Sequence, residues 1–527
     1  MKEKLILIAI VVLAILLRFY SLGKAPLSLY WDEASIGYNA YSISQTLHDE
    51  HGEYLPLARF VAFGDYKAPG FIYADALSIK LFGLSELTIR LPSAVAGTLL
   101  VVAAYLLVLE LFSKKKVALA AAFITAISPW AVQFSRAAFE ANVATAFSGF
   151  GFLFLLRFFR QKNVFVLISS AIFLVASMYS FNTHRVFVPL AVFALTLLNL
   201  RQILPAWKKY LVFCALFAGL LIPQVPYLMA REGSLRFNEV TWFNDLAPVD
   251  KSSRYIREDG GNVVANFLHN RRVEYVIQFA KHYTDHFNWD FLFIRGDVNP
   301  RLSSQGAGVF YFFEAIFLLA GIYFLFKNRS RAGATIFLWI ALGLIPAAVA
   351  RETPHALRVL NLIPIPQIIV AVGLVSLLEK RKVIKMLTVL AYSLTVIYFF
   401  HYYFIHYPKD FAREWQFGYK ELVAYVSSVE KNYDYVKVDS FYGRPYIYFL
   451  LYKQYDPEKY LIDRKTDRDW YGFWNVRSFG KYYFDSADKL SGKGLIVLPP
   501  TTEVGGIKPV KQIFDPFGQP VFNIYRS

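Results

Sequence analysis

One cysteine in 527 residues, Cys214, excludes an internal disulfide and a cysteine metal cluster, and leaves the redox compartment open. Acidic residues are scarce too: 39 Asp and Glu stand against 56 Lys and Arg, a formal charge of +17. No internal repeat is visible, so the inverted halves of many transporters are missing. The last 120 residues or so contain no glycine-rich phosphate loop, no Cys/His metal spacing and no nucleophile elbow.

What the chain has is apolar length. It is 56% hydrophobic and 18% aromatic, with a mean hydropathy of +0.37, the profile of a membrane protein. The basic residues gather in short connectors between apolar segments: Lys2 and Lys4; Lys114 to Lys116; Arg157, Arg160 and Lys162; Arg201, Lys208 and Lys209; Lys327, Arg329 and Arg331; and Lys380, Arg381, Lys382 and Lys385. Only Glu3 and Glu379 interrupt them. Charge on alternate connectors is the positive-inside pattern. It reads as a topology signal and argues against a nucleic-acid partner.

That rule places the N-terminus in the cytoplasm and predicts about eleven transmembrane helices. The expected spans are 5–22, 87–112, 117–134, 141–159, 164–181, 186–200, 210–228, 309–326, 334–350, 359–378 and 383–405. Outer loops then cover 23–86 and 229–308, and the C-terminus is extracytoplasmic. The division expected is a membrane domain over 1–405 and a soluble α/β domain over 406–527, within the usual size range. In that tail, helices are expected in "WQFGYKELVAYVSSVEK" and "RPYIYFLLYK", and strands in "YVKVDS", "GLIVLPP" and "PVFNIYR". Its aromatics Trp415, Trp470, Tyr471, Phe473 and Trp474 could stack on sugar rings, although core or membrane-facing packing is the plainer reading.

Polar residues stand out at the outward ends of the spans. Asp32 and Glu33 follow Tyr30 and Trp31 just beyond the first apolar segment. They could face a polar cavity, or simply favour a helix N-terminus. The following "EASIGYNAYSISQTL" has helical spacing and is expected to lie on the membrane surface. Arg136, Glu140 and Asn142 lie between two spans, and an i,i+4 ion pair would account for the first two. His184 and Arg185 sit in another connector. Arg351, Glu352, His355 and Arg358 form the densest outward cluster. Outward arginine runs against the positive-inside bias and needs a partner or a task. Phosphate suits its fork best, and at a membrane surface the phosphate belongs to a lipid.

The stretch "WDEASIGYNAYSI…DEHGEYLPL…GDYKAPGFIYADALSIKLFGLSELTIRLPSAVAGTL" resembles the opening of the dolichyl-phosphate-mannose protein mannosyltransferase and aminoarabinose transferase superfamily. Asp32-Glu33 matches the family's acidic motif, and Lys67 with Pro69 and Gly70 its lysine–proline element, with Ala68 replacing a second proline. The likeness is strong over 25–145, fair in topology to about 400 and weak in the tail.

The resemblance implies the membrane-embedded GT-C fold and transfer of a sugar from a polyprenyl-phosphate donor to a lipid, glycan or protein acceptor. Asp32 would be the base and Glu33 would position it. Lys67, Arg136, Arg351 and Arg358 would hold the donor phosphate. Glu140, Asn142, His184, Arg185 and His355 would contact the acceptor or support those groups. A divalent metal stays open, since no ligand spacing requires one. A lipid-linked glycan flippase would instead show charge at mid-span, where Glu314 is the clearest acid. A polysaccharide polymerase or ligase would lack the acidic first-loop motif.

Overall fold

A computed structural model of the chain describes residues 1–63, 65–230, 233, 240–378, 382–468, 474–484, 490–502 and 504–527. Of the sequence features above, Glu379, Lys380, Arg381, Trp470, Tyr471 and Phe473 lie outside the described residues. The chain forms two compact units: one of Met1–Ala14, Leu99–Val132 and Ala144–Thr395, the other of Ile15–Thr98, Gln133–Val143 and Val396–Ser527.

The first unit is helical. Among the described residues of the whole chain, five helices are long and apolar enough to cross a membrane: Glu86–Phe112, Glu140–Gln161, Leu200–Met229, Arg331–Ala348 and Lys382–Asp410. The bent pair Lys115–Ile127 and Pro129–Ser135, angled at 56°, makes a sixth if it counts as one span. Other expected spans form shorter helices, Val164–Ser180, Asn182–Leu198 and Ile365–Leu378. α1 (Lys2–Phe19) has 18 residues but carries Lys2, Glu3, Lys4 and Arg18. Two helices in the first unit press backbone to backbone. A Cβ on Gly373 would stand 1.9 Å from the Phe317 carbonyl oxygen, so no side chain fits there.

The second unit is built around α2 (Trp31–Thr46), which starts on the acidic pair. This helix is a correction to the expected surface helix. Residues Glu33 to Ala40 are all buried, and so are Ser42 and Ile43, so it has no lipid-facing side. The reason is that its polar residues find partners within the unit: Asn39 Nδ2 donates to Glu50 Oε1 at 3.1 Å, and Ser42 Oγ to the His48 carbonyl at 2.6 Å. After α2 come a short hairpin, β1 (Phe60–Ala62) and β2 (Asp65–Lys67), then α3 (Pro69–Phe82) and α4 (Glu86–Phe112). At Gly37 a Cβ would lie 2.4 Å from Ile89 and 3.3 Å from Leu451, so α2 needs glycine where α4 and the tail helix Pro445–Tyr452 close on it.

The tail holds the expected strands β3 (Tyr435–Val438), β7 (Gly494–Leu498) and β9 (Pro520–Arg526). It also has four that the periodicity did not reveal: β4 (Lys465–Arg468), β5 (Trp474–Phe479), β6 (Tyr482–Phe484) and β8 (Lys511–Phe514). β4 is a polar edge strand with three of its four residues exposed, so no apolar alternation marks it. The sheet order is β4-β5-β6-β3-β7-β9-β8. β3 runs parallel to both β6 and β7, with Val436 opposite Tyr482 on one side and Leu495 on the other. The expected helix at 415–431 starts only at Tyr419, because Gly418 at φ +108° breaks it. Trp415 is fully buried, which makes it core, while Trp474 is half-buried.

The tail clamps the start of α2. Gln416 Oε1 accepts from the Trp31 backbone N–H at 2.7 Å and from Tyr448 Oη at 2.7 Å, and its Nε2 donates to the Tyr442 carbonyl at 2.8 Å. Farther along, Arg464 Nη2 donates to the His51 carbonyl at 3.1 Å.

Candidate active site

Within the second unit Asp32 and Glu33 are neighbours in sequence with different surroundings. Helical geometry turns successive side chains about 100° apart, so one points into the core and one away. The Asp32 side chain is 25% exposed, and its Oδ1 lies 2.6 Å from Lys67 Nζ. Lys67 ends β2, and the hairpin register that sets it opposite Phe60 fixes where its side chain leaves the backbone.

Glu33 is fully buried and saturated. Its Oε1 accepts from Arg90 Nε at 2.9 Å and the Ala138 N–H at 2.9 Å, and its Oε2 from Arg90 Nη2 at 3.0 Å and the Tyr30 N–H at 3.3 Å. Arg90 spends its other N–H groups on the carbonyls of Leu22, Pro26 and Ser28, at 3.1, 2.8 and 2.6 Å. This pair therefore ties α2, α4, the 22–28 loop and the 136–139 turn together. Arg90 was missed in the sequence. The signal that could have found it is an arginine inside a run of apolar residues, where a charge needs a partner.

Arg136 is also fully buried. It donates to the carbonyls of Leu17, Arg18, Ser21 and Ala25 at 2.9–3.2 Å, which caps the open end of α1. Its guanidinium also lies 4.7 Å from the Phe404 ring centre. Asn142 Nδ2 holds the Ser93 carbonyl at 2.8 Å, and Glu140 opens the helix Glu140–Gln161. Six of the expected site residues, Asp32, Glu33, Lys67, Arg136, Glu140 and Asn142, thus share one unit.

The other five, His184, Arg185, Arg351, His355 and Arg358, belong to the first unit. There His184 is buried with neither ring nitrogen hydrogen-bonded to a described residue. Arg185 Nε donates to the Met178 carbonyl at 3.2 Å. Arg351 Nε reaches the Thr241 carbonyl at 3.0 Å. His355 Nδ1 lies 3.9 Å from Asp297 Oδ2, and its backbone N–H points at His286 Nε2 at 3.3 Å. Burial, with Arg358 close by, lowers the His355 imidazole to about 3, and burial lowers His286 to about 4. Both rings are neutral at physiological pH. Asp297 and His286 were not singled out in the sequence, because this cluster assembles across segments far apart in the chain. No group of three His, Cys, Asp or Glu side chains among the described residues is arranged to hold a metal.

The same unit holds two further buried acids, Asp75 near Glu33 and Glu50 near Lys67. Both Asp75 carboxylate oxygens lack a hydrogen-bond partner among the described residues, and burial raises its pKa well above the usual range. Burial likewise pushes Glu50 up to about 8. This gives a pH prediction. Folded Glu50 keeps its proton to about 8 while an unfolded glutamate loses it near 4.5, so folding binds a proton in that window and stability falls as pH rises through it. Glu50→Gln does not titrate. Its melting temperature relative to wild type should therefore rise between about pH 5 and pH 9, and a constant difference would contradict the assignment.

The chain thus combines several bilayer-length helices with a carboxylate, in the first turn of α2, paired with a buried lysine. Residues 66–227 match the sequence profile of the family described as dolichyl-phosphate-mannose-protein mannosyltransferase. That is the family the sequence resembles, and the matched stretch includes Lys67, Arg136, Glu140, Asn142, His184 and Arg185 but begins after Asp32 and Glu33. None of the curated proteins compared matches the chain.

Among solved structures, the chain is similar to ArnT from Cupriavidus metallidurans in the apo state, at 14% identity over 70% of this chain and 58% of that one, with a TM-score of 0.45. ArnT bound to undecaprenyl phosphate gives 14% identity over 85% and 74%, with a TM-score of 0.47. The archaeal oligosaccharyltransferase AglB from Archaeoglobus fulgidus, in complex with an inhibitory peptide and a dolichol-phosphate, gives 14% identity over 85% and 63%, with a TM-score of 0.47. The chain spans 58% and 63% of the lengths of apo ArnT and this AglB.

Proposed function

We propose that the protein is an integral-membrane glycosyltransferase that moves a sugar from a polyprenyl-phosphate donor to an acceptor hydroxyl on the outer membrane face. The observation that supports this reading is the partly exposed Asp32 carboxylate held 2.6 Å from the Lys67 ammonium, next to a Glu33 that is fully engaged elsewhere. Asp32 takes the acceptor proton as the hydroxyl oxygen bonds to the anomeric carbon. The bond from that carbon to the phosphate oxygen breaks, and polyprenyl phosphate leaves with the electron pair. One displacement inverts the anomeric centre. Lys67, beside Asp32, supplies the positive charge that stabilises the departing phosphate. Glu33, Arg90 and Arg136 set the position of this pair.

The wider organisation belongs to the same reading: eleven crossings, a cytoplasmic N-terminus, a membrane domain over 1–405 and an extracytoplasmic α/β domain over 406–527 in the cytoplasmic membrane. A cysteine introduced into the tail should react with a membrane-impermeant thiol reagent in intact cells. Protection until lysis would overturn that topology.

Arg351 and Arg358 are proposed donor-phosphate ligands, and alanine at either should weaken polyprenyl phosphate binding roughly ten- to a hundredfold. Unchanged binding in both variants would remove them from that role. Glu140, Asn142, His184, Arg185 and His355 keep a supporting or acceptor role in this proposal. Incubating the purified protein with a panel of polyprenyl-phospho-sugars tests the function itself through release of polyprenyl phosphate.

A further inference from the structure

The tail contains a cavity of about 280 Å³ at the carboxyl end of β3, lined by Ser440, Arg444, Tyr446, Asn475, Arg477 and Phe484 among others. β3 is the strand from which the chain passes first toward β6 and then to β7 on the other side. Open α/β sheets take ligands in the crevice outside the carboxyl end of such a strand. From this cavity we infer that the tail binds an oxyanion, a carboxylate or phosphate, carried on the acceptor sugar. The inference rests on the proposed sugar transfer only for the word acceptor.

Two side chains point to a charged ligand. Arg444 Nη1 donates to Asn475 Oδ1 at 2.8 Å, and its guanidinium packs 5.7 Å from the Phe63 ring centre. No carboxylate pairs with it among the described residues. Arg477, by contrast, is engaged by Asp467 at 2.9 Å. A guanidinium steadied by a neutral amide and a ring keeps the rest of its N–H fork for an incoming anion.

Tyr446 is the second. It is only 4% exposed and lines the cavity. Its ring is set by Phe63 at 5.9 Å and Phe484 at 6.4 Å. A phenol in the cavity wall can donate a hydrogen bond to a ligand oxygen. The volume lies just under the range of roughly 300–1,000 Å³ typical of small-molecule pockets, which suits one sugar ring with its charged substituent.

The rim of the cavity packs against Trp31, the neighbour of the candidate base in the chain. Gly443, on its rim, has φ +113°, and a Cβ there would fall 2.4 Å from the Trp31 ring. Trp31 immediately precedes Asp32. The cavity rim thus meets the residue that precedes the proposed base in the chain.

The test is binding of glucuronate, inorganic phosphate and neutral glucose to the purified full-length protein, followed by calorimetry or ligand-observed NMR. Three proteins are compared: wild type, Arg444→Gln, and the surface control Lys508→Gln. Wild type and the control should bind one or both anions more tightly than glucose, and Arg444→Gln should weaken anion binding at least tenfold. Preference for glucuronate assigns a uronate acceptor, and preference for phosphate a phosphorylated one. Tyr446→Phe, which keeps the ring, should weaken the same anion. The inference is overturned if wild type binds neither anion, or if Arg444→Gln binds them as wild type does. Because no donor is present, these results stand whether or not polyprenyl phosphate is ever released.

Discussion

Replacing Arg90 with alanine is expected to cost the protein most of its folded yield. The substitution strands Glu33 in a fully buried site, with two of its four hydrogen bonds gone and no counter-charge. Breaking a buried ion pair in this way costs about 3–5 kcal/mol, a large share of the roughly 5–15 kcal/mol that holds a typical domain together. The three carbonyls of Leu22, Pro26 and Ser28 also lose their donor. Arg90→Lys should recover only part of the loss, because an ammonium offers three donors where the guanidinium uses five. Adding Glu33→Gln to Arg90→Ala should raise the melting temperature above that of Arg90→Ala alone, since it removes the orphaned charge. An Arg90→Ala protein that melts with wild type would show that the pair does not hold this unit.

Asp32→Asn should behave in the opposite way, with the fold intact and turnover reduced roughly a hundredfold or more. The amide keeps the size of the carboxylate and can still accept from Lys67, so the geometry at 2.6 Å is largely retained while the proton acceptor is lost. Donor affinity should stay near wild type, because the step removed is proton abstraction in the transition state. Lys67→Met should do the reverse: it should weaken donor binding and leave a carboxylate without its ammonium. Wild-type turnover in Asp32→Asn would move the base elsewhere. Glu140 would then be the sequence-identified alternative, since the Glu33 carboxylate is already engaged by four donors.

The sequence makes the class of protein and the location of the acidic pair readable, because hydropathy, charge alternation and the Trp31-Asp32-Glu33 run are all local. What it conceals is the division of labour between the two acids. That is decided by Arg90, 57 residues away, and by the Ala138 N–H, 105 residues away. Neither contact leaves a periodic trace. The burial of α2 was hidden for the same reason: its spacing of Ile36, Tyr38, Ala40, Tyr41 and Ile43 fits a membrane-surface helix equally well. Contacts far along the chain reveal what covers it, among them Tyr38 to Tyr455, Trp31 to Gln416 and the close approach of Ile89 and Leu451 at Gly37. Arg136 illustrates a different limit. An outward arginine needs acceptors, and the sequence could not distinguish a lipid phosphate from the carbonyls that end α1.

In the tail, strands with apolar alternation were legible and the polar edge was not. β3, β7 and β9 lie toward the middle of the sheet and carry buried residues at most positions, whereas β4 shows its side chains to water. The cluster of His286, Asp297 and His355 could not be foreseen, since its members come from separate segments and meet only in three dimensions.

The most direct test of sugar transfer at Asp32 is a single-turnover assay on purified protein in lipid nanodiscs. Each polyprenyl-phospho-sugar of a small panel is supplied with a mixture of hydroxyl acceptors, and free polyprenyl phosphate is measured by mass spectrometry. The account predicts release from at least one donor by wild type, with the sugar recovered on an acceptor in inverted configuration, and release reduced a hundredfold or more in Asp32→Asn. No release from any donor, or release equal in the two proteins, would contradict it.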